Sequence, residues 1–280
     1  MKNELLDKFI DSALKEDVGD GDHTSLAIIP GSLKGNARLL VKQNGIIVGI
    51  DIAKKVFQKL DHEIIFEPFM NDGKTVNPGD IAFQVYGPVL AILQAERLVL
   101  NLMQRLSGIA TQTREYVNKL HGLKTKILDT RKTSPGMRLL EKYAVKIGGG
   151  ENHRFGLYDM ILIKDNHIDF AGGIENAIDR THEYLRKNNK KLKIEIEARS
   201  INDINVILKK GGIDRILLDN FTPDQTKIAV SVIRDKAEIE SSGNITIENI
   251  RNYAECGVDY ISVGALTHQI KSIDLSLKAF

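Results

Sequence analysis

The spacing of apolar residues changes along this chain, and each change marks a different kind of structure. At the N-terminus they recur every three to four positions, which predicts an amphipathic helix that ends near Lys15. The acidic, glycine-containing segment 16–25 that follows predicts a loop. Gly35–Tyr86 instead carries short β-prone runs separated by turn signals such as Asp72-Gly73. This pattern predicts an antiparallel sheet, with one helix near Ile52–Leu60.

A long amphipathic segment separates that region from the rest of the chain. Val89–Leu120 keeps helical spacing throughout, and its Ser107-Gly108 pair predicts a break or kink.

After His121 short apolar runs alternate with helix-length segments. Such repetition predicts parallel βα units. Seven runs rather than eight favour an incomplete (β/α) barrel, with a doubly wound sheet as the competing arrangement. No G-x-G-x-x-G follows an early strand, which counts against a Rossmann site. The seven predicted strands are Thr125–Leu128, Ala144–Ile147, Met160–Ile163, Lys193–Ile196, Arg215–Leu218, Glu238–Glu240 and Tyr260–Val263.

The predicted fold class is therefore α/β, with an N-terminal α/β sandwich domain and an open seven-stranded (β/α) barrel. We place the sandwich domain and its linking helix at residues 1–118, and the catalytic barrel at residues 119–280. The last residues are expected to pack back on the N-terminal domain.

Composition narrows the kind of protein. The 280 residues are 42% hydrophobic and 27% charged, which is ordinary for a soluble globular protein. The 39 Lys and Arg residues nearly balance 37 Asp and Glu residues, so a general nucleic-acid surface is not indicated. A single cysteine, Cys256, excludes an intramolecular disulfide and fits a reducing compartment. With no stretch approaching a membrane span, we expect a cytoplasmic enzyme.

Polar residues follow nearly every predicted strand of the second half. The carboxyl ends of parallel barrel strands meet at one face, so these residues are expected to share a site. One charged residue after a strand is usually solvated or ion-paired, but seven coincident ends are harder to dismiss. In strand order the ends carry Arg131 and Lys132, His153 and Arg154, Lys164, Glu197, Asp219, Ser241–Asn244, and Gly264 with Ala265.

The charges at these ends indicate the chemistry. Arginines suit bidentate binding of carboxylates or phosphates, and lysines act as point charges, so the cations indicate a small polyanionic substrate. Glu197 and Asp219 are either ligands of Mg²⁺, direct or through water, or charge balance for the arginines. Loops 242–244 and 264–265 predict a phosphate cradle, with ordinary turns as the alternative. His153 is either a general acid or base or simply hydrogen-bonded.

Long motifs in a fixed order resemble the quinolinate phosphoribosyltransferase family over nearly the whole chain. They are AERLVLNLMQRLSGIAT (95–111), DTRKTSPGMR (129–138), GGGENHRFGLYDMILIKDNHI (148–168), IEIEA (194–198), ILLDN (216–220), SSGN (241–244) and GVDYISVGAL (257–266).

The resemblance implies transfer of phosphoribose from phosphoribosyl pyrophosphate (PRPP) to quinolinate with decarboxylation, giving nicotinate mononucleotide for NAD biosynthesis. It also implies a homodimer in which the neighbouring subunit contributes Arg97, and Mg²⁺ bound near Glu197 and Asp219. Lys132, Lys164, Glu197 and Asp219 are the implied catalytic residues. The implied substrate-binding residues are Arg97, Arg131, Lys132, His153, Arg154, Lys164, Ser242, Gly243, Asn244, Gly264 and Ala265.

Three other functions stay open at this point. The molybdenum-transport-associated branch of the same fold has a similar barrel, although Thr133 and Ser134 after the TRK motif argue against it. A Schiff-base aldolase would use Lys164 as its nucleophile. A non-enzymatic anion receptor would use the same cations for binding alone.

Overall fold

The computed structural model describes residues 3–280 and divides into two compact units. Unit 1 contains the chain up to Thr113 together with Ser134–Gly149 and Gln269–Phe280. Unit 2 contains Arg114–Thr133 and Gly150–His268.

Helices and strands are numbered in chain order. The α-helices are α1 Asn3–Val18, α2 His23–Ile28, α3 Ile50–Leu60, α4 Val89–Lys119, α5 Arg138–Gly148, α6 Asp165–Ala171, α7 Ile174–Lys187, α8 Ile201–Lys210, α9 Pro223–Ile233, α10 Ile250–Ala254 and α11 Ala265–His268. The strands are β1 Lys34–Val41, β2 Gly45–Ile46, β3 Ile65–Pro68, β4 Thr75–Val76, β5 Ile81–Pro88, β6 Lys126–Leu128, β7 Ile161–Ile163, β8 Ile194–Ala198, β9 Arg215–Asp219, β10 Glu238–Ser242, β11 Tyr260–Ser262 and β12 Leu275–Ala279. Among the helices of residues 3–280, none is both long and apolar enough to cross a membrane.

Unit 1 contains an antiparallel sheet in the order β12-β1-β5-β3, so the predicted antiparallel sheet is confirmed. Alternate residues of β1 are buried, as expected for a strand with one face on a core. Phe57 of α3 packs edge-on against Phe83 of β5, with ring centroids 6.0 Å apart. Phe66 of β3 lies 4.5 Å from the same Phe83 ring. These three rings join the helix to the sheet.

Helix α4 runs without interruption through Ser107 and Gly108, so the predicted break is wrong. The glycine serves packing instead, because the Lys271 carbonyl oxygen occupies the space that a Cβ at position 108 would need. Glycine allows this close approach of two backbone segments.

Unit 2 is built on a parallel sheet in the order β6-β11-β10-β9-β8-β7, which confirms the parallel βα units. Six of the seven predicted strands are present. At the β6 edge a parallel bridge between Leu128 and Glu151 adds one further paired position. That bridge, rather than a full strand, precedes β7.

The strand predicted at Ala144–Ile147 is wrong, because these residues lie inside α5. Its buried positions include Leu140, Ala144, Val145 and Gly148, which recur at helical spacing. The window of four residues was too short to distinguish this period from a buried strand.

Candidate active site

The carboxyl ends of β6 and β11 are joined through Lys132. The Thr267 hydroxyl donates to the Lys132 carbonyl oxygen at 2.8 Å, and the Lys132 backbone N–H donates to Thr130 Oγ1 at 3.0 Å. Gly264 lies beside the Lys132 stem, whose Cδ would be 2.9 Å from a Cβ at position 264. Lys132 itself stays exposed, as does Arg131. Lys132, one of the two predicted cations after β6, therefore adjoins the predicted Gly264-Ala265 loop.

An ion pair joins the ends of β7 and β8. Lys164 Nζ lies 3.3 Å from Glu197 Oε1, and the Asp165 backbone N–H donates to Glu197 Oε2 at 2.9 Å. The Glu197 side chain is only 9% exposed, whereas that of Lys164 is 49% exposed. The Glu197 carboxylate is thus fixed by its neighbours, while the lysine remains open to solvent.

Two asparagines in left-handed backbone conformation join the ends of β9 and β10. Asn220 has a φ of 57° and Asn244 a φ of 51°. The Asn244 amide donates to Asn220 Oδ1 at 3.1 Å, and the Asn220 amide donates to Asp219 Oδ2 at 3.0 Å. The Asn220 backbone N–H donates to the Ser242 carbonyl oxygen at 2.9 Å. Non-glycine residues held in this conformation concentrate at functional sites.

Gly243 completes the same loop. Its φ is 91°, and Asn220 Oδ1 occupies the space that a Cβ would need. Ser242, which precedes it, pairs in register with Asp219 across the parallel ladder. The predicted loop 242–244 therefore adjoins the predicted acidic residue on the next strand.

His153 and Arg154 follow the Glu151 bridge. Asp129, a buried residue just after β6, accepts from the His153 backbone N–H at 2.9 Å and from the Asn152 amide at 2.6 Å. Arg154 is half-buried, and its guanidinium donates to the Met160 carbonyl oxygen at 3.2 Å. These contacts fix the short segment that carries both predicted cations.

Charges within unit 2 act on Arg154. Burial lowers the pKa of Arg154, and the positive charge of Arg131 lowers it further. Glu195 and Glu197 act in the opposite direction. A half-buried guanidinium beside a second, exposed one that repels it forms a site suited to an anion.

The structure places the predicted residues in different units. Most of them belong to unit 2 and lie at or next to strand ends. These are Arg131, Lys132, His153, Arg154, Lys164, Glu197, Asp219, Ser242, Gly243, Asn244, Gly264 and Ala265. Arg97 belongs to unit 1, where it is exposed on α4. The roles assigned to all of these residues remain predictions.

Two conspicuous features of the sequence have local structural explanations. In the triplet 148–150, Gly149 ends α5 with a φ of 99°, and Gly148 lies against the Ala110 carbonyl oxygen and Thr113 too closely for a Cβ. The His167 ring accepts the Lys164 backbone N–H at 2.9 Å and so caps α6.

Sequence reasoning missed Asn220, Asp129, Glu195 and Glu240 as residues that organise these strand ends. The signal was present for the two glutamates, since acidic residues interrupt the apolar runs of β8 and β10 and both prove buried. A buried carboxylate requires a partner, and unpaired burial is costly. The signal for Asn220 was weaker, because it was only the general tolerance of asparagine for the left-handed backbone conformation.

Parallel strands that deliver cations, carboxylates and a glycine-containing loop to one sheet edge define an α/β enzyme of small anionic substrates. The chain belongs to the quinolinate phosphoribosyltransferase family. The profile of the family's N-terminal domain matches residues 22–107, and that of its C-terminal domain matches residues 109–278.

Curated relatives and solved structures agree with this assignment. The chain is 43% identical over 284 residues to the chloroplastic nicotinate-nucleotide pyrophosphorylase [carboxylating] of Oryza sativa, covering 96% of this chain and 76% of the relative. It is 41% identical to the probable enzyme of that name from Bacillus subtilis, covering 99% and 94%. The crystal structure of NadC from Streptococcus pyogenes superposes with a TM-score of 0.93 at 36% identity, covering 100% and 99%.

Proposed function

We propose that this protein transfers phosphoribose from PRPP to the nitrogen of quinolinate, with loss of pyrophosphate and CO₂, and so makes nicotinate mononucleotide for NAD biosynthesis. The observation that carries the proposal is the set of cations at the strand ends of unit 2, in a chain of this family. Quinolinate is a dianion and PRPP is highly charged, so binding both requires compensating cations in a partly dehydrated place.

Each kind of side chain has a part in binding. Arg131 and Arg154 bind the quinolinate carboxylates, because planar guanidiniums match carboxylates in bidentate geometry. Lys132 and Lys164 supply point charges to the phosphate groups of PRPP and can adapt as these move. Backbone N–H groups of loops 242–244 and 264–265 hold the 5′-phosphate. His153 contributes to the quinolinate end through its place beside Arg154.

The chemistry needs no covalent intermediate with the enzyme. As the bond from ribose C1 to pyrophosphate breaks, positive charge develops on the ribose ring, and the fixed Glu197 carboxylate stabilises it. The quinolinate nitrogen then forms the new bond to C1. Once that nitrogen is positively charged, the adjacent carboxylate leaves as CO₂, and its bonding electrons stay on the ring carbon until a proton arrives.

Mg²⁺ is the proposed cofactor, and Asp219 and Glu197 would hold it directly or through water. Asp219 suits this role, since it is a half-buried carboxylate at a strand end, oriented by the Asn220 amide. Glu197 already contacts Lys164 and the Asp165 N–H, which favours a water-mediated contribution. The ion, when bound, would neutralise charge on the leaving pyrophosphate.

We further propose a homodimer in which Arg97 completes the active site of the partner subunit. The support is that Arg97 points away from the core of unit 1, on an exposed face of α4 that also carries the 38% exposed Leu93 one turn earlier. A cytoplasmic location is supported by the single free cysteine, Cys256.

An omission experiment tests the reaction. Pyrophosphate release should require quinolinate, PRPP and Mg²⁺ together, and should stop when any one is left out. Binding of the anions without turnover would instead indicate a receptor. Borohydride treatment with carbonyl substrates should leave Lys164 unmodified, and a trapped adduct there would indicate an aldolase.

A further inference from the structure

A cluster of charged side chains lies buried within unit 2 and is not used by the proposed chemistry. Glu195 of β8 and Glu240 of β10 are both fully buried. Arg215 of β9 lies between these strands, with its guanidinium donating to Glu240 Oε2 at 2.9 Å and stacking over the Tyr260 ring at 4.0 Å. We call Glu195, Glu240 and Arg215 the buried support.

His153 is in direct contact with this support. Its Nε2 lies 2.9 Å from Glu195 Oε2 and 3.5 Å from Glu240 Oε2, and its side chain is only 6% exposed. The other ring nitrogen, Nδ1, accepts the Arg154 backbone N–H at 2.7 Å. One ring nitrogen thus contacts the buried carboxylates, and the other accepts a hydrogen bond from the backbone of Arg154.

The position of the ring follows from these contacts. An ionised carboxylate can accept a hydrogen bond but cannot donate one, so the ring nitrogen that faces Glu195 and Glu240, Nε2, carries the proton. That arrangement leaves Nδ1 as an acceptor for Arg154 in the neutral ring. The Asp129 carboxylate accepts the His153 backbone N–H at 2.9 Å and so holds the backbone of this residue.

We propose that the buried support orients His153 and, through it, positions Arg154 for binding a substrate carboxylate. This inference rests on the proposed function, since it assigns Arg154 to quinolinate. Glu195, Glu240 and Arg215 are positioning residues in this account and do not touch the substrate. The support is rigid because its members come from three adjacent strands of one sheet.

His153, Glu195 and Glu240 also have the composition of a metal site, since one atom from each lies within 4.8 Å of the others. Arg215 argues against a cation there. Its guanidinium already pairs with Glu240, and a buried guanidinium next to a divalent ion would be repelled strongly.

The proton on Nε2 can be measured in the unmodified protein. Histidine-selective ¹⁵N labelling gives seven ring systems, and His153→Gln assigns the one in question. The expected spectrum has a protonated Nε2 at every pH at which the protein stays folded, unchanged by one equivalent of Zn²⁺. A deprotonated Nε2, or loss of its proton on adding Zn²⁺, would overturn the proposal.

Substitutions of Glu195 test whether the buried support affects the binding of quinolinate. Glu195→Gln keeps an acceptor for Nε2–H, whereas Glu195→Met has similar length and none. We expect Glu195→Met to raise KM for quinolinate about tenfold or more, because small misplacement of a binding group is costly. KM for PRPP should change less than about twofold, and Glu195→Gln should stay within about threefold of wild type.

Glu238→Gln is the matched control. Glu238 lies on the same strand as Glu240 and also accepts from Arg215, at 3.1 Å, but contacts Tyr260 rather than His153. It should leave both KM values unchanged. Equal losses for both substrates, or the same loss with Gln as with Met, would overturn the proposal.

A failure of the proposed function would look different from a failure of this inference. A wild-type protein without activity toward quinolinate would refute the function, whereas the His153 spectrum is read without any substrate. If Glu195→Met does not fold, the spectrum of the wild-type protein still decides the orientation of the ring.

Discussion

The proposed binding role of Arg131 and Arg154 implies a cost in stability. Arg154 is partly buried, and the nearby charge of Arg131 lowers its pKa, so each guanidinium destabilises the other in the absence of an anion. A substrate with two carboxylates would relieve this repulsion on binding. Sites that trade stability for ligand binding in this way are common in enzymes.

Replacement of Arg131 tests whether this residue lowers stability while it serves substrate binding. Arg131→Ala should lower kcat/KM by about a hundredfold to a thousandfold, as for loss of a charged hydrogen-bonding group at a reacting centre. Its thermal midpoint should equal or exceed that of the wild type. Lys126→Ala, which removes an exposed cation paired with Glu151, serves as control and should keep normal activity. Reduced stability of the Arg131→Ala protein would show that Arg131 has a structural role.

His153 gives a pH dependence whose sign is fixed. Burial opposes the charged form of His153, but the contacts with Glu195 and Glu240 outweigh burial and raise its pKa above the usual 6.5. The hydrogen bond from the Arg154 N–H needs an unprotonated Nδ1, so it favours the neutral ring and limits this rise. Burial also raises the pKa of Glu195 to about 7, with the charge of Glu240 adding to the effect. His153 and Glu195 therefore hold their protons more tightly than in the unfolded chain, whereas contact with His153 outweighs burial at Glu240 and lowers the pKa of that carboxyl.

A raised folded-state pKa stabilises the protein fully at low pH and loses this contribution as pH rises through it. Between pH 6.5 and 9 the unfolding midpoint of the wild type should therefore fall more than that of His153→Gln. Thermal unfolding at the two pH values measures the difference. Parallel declines in the two proteins would contradict a raised pKa at His153.

The residues at the strand ends differed in how readily the sequence pointed to them. Lys164, Glu197 and Asp219 were found because each comes directly after or at the end of a short apolar run, where strands end. Asn220 was not singled out, because its role depends on a φ of 57° and on a partner 24 residues away in sequence. Contacts between strand ends are fixed by the sheet, and a single sequence does not display them.

At the scale of elements, the loop that joins β10 to α10 depends on one glycine. Gly243 has a φ of 91°, and there is no room for a side chain at this position, because Asn220 Oδ1 lies where a Cβ would be. A side chain here would be strained and would also displace Asn220. That residue orients Asp219, so the damage should extend to both loops.

Gly243→Ala should therefore raise KM for PRPP about tenfold or more and destabilise unit 2 by about 1–3 kcal/mol. Gly257→Ala is a close control, since its φ is also 91° but its nearest neighbour, Val230, is at an ordinary 3.7 Å. It should share the loss of stability and keep KM for PRPP. Equal KM values for the two variants would show that the 243 loop does not bind PRPP.

Elements were predicted unevenly, and the reasons are physical. Most strands after residue 121 were found within about two residues of their ends, because turns and helices bound short apolar runs clearly. Helix α2 was missed inside the segment predicted as a loop, although Asp22 accepts from Ser25 N–H as an N-cap. One and a half turns of helix leave too few positions to show a period.

At the scale of the molecule, chain order and compact units do not coincide. Residues 134–149 and 269–280 fold with unit 1, although they follow or interrupt the parallel strands in sequence. β12 shows why, since it pairs antiparallel with β1, setting Leu277 opposite Leu39. Pairing between residues more than two hundred positions apart leaves no local pattern to read.

The proposed shared site makes a prediction for mixtures of inactive variants. Arg97→Ala and Arg131→Ala proteins are each expected to be nearly inactive alone. When their subunits are exchanged in equal amounts, the mixture should regain about a quarter of the activity of the same amount of wild-type protein. A hybrid dimer would then contain one site with both arginines intact. Exchange can be followed with two affinity tags. Absence of recovery after confirmed exchange would contradict a site shared between subunits.

The most direct test of the central claim follows the carboxyl carbons of the substrate. Quinolinate labelled with ¹³C in both carboxyl groups would be incubated with PRPP, Mg²⁺ and the protein, and the products resolved by mass. The account predicts nicotinate mononucleotide carrying one ¹³C, with one labelled CO₂ and one pyrophosphate released per turnover. A nucleotide that keeps both labels, or the absence of any nucleotide product, would contradict it.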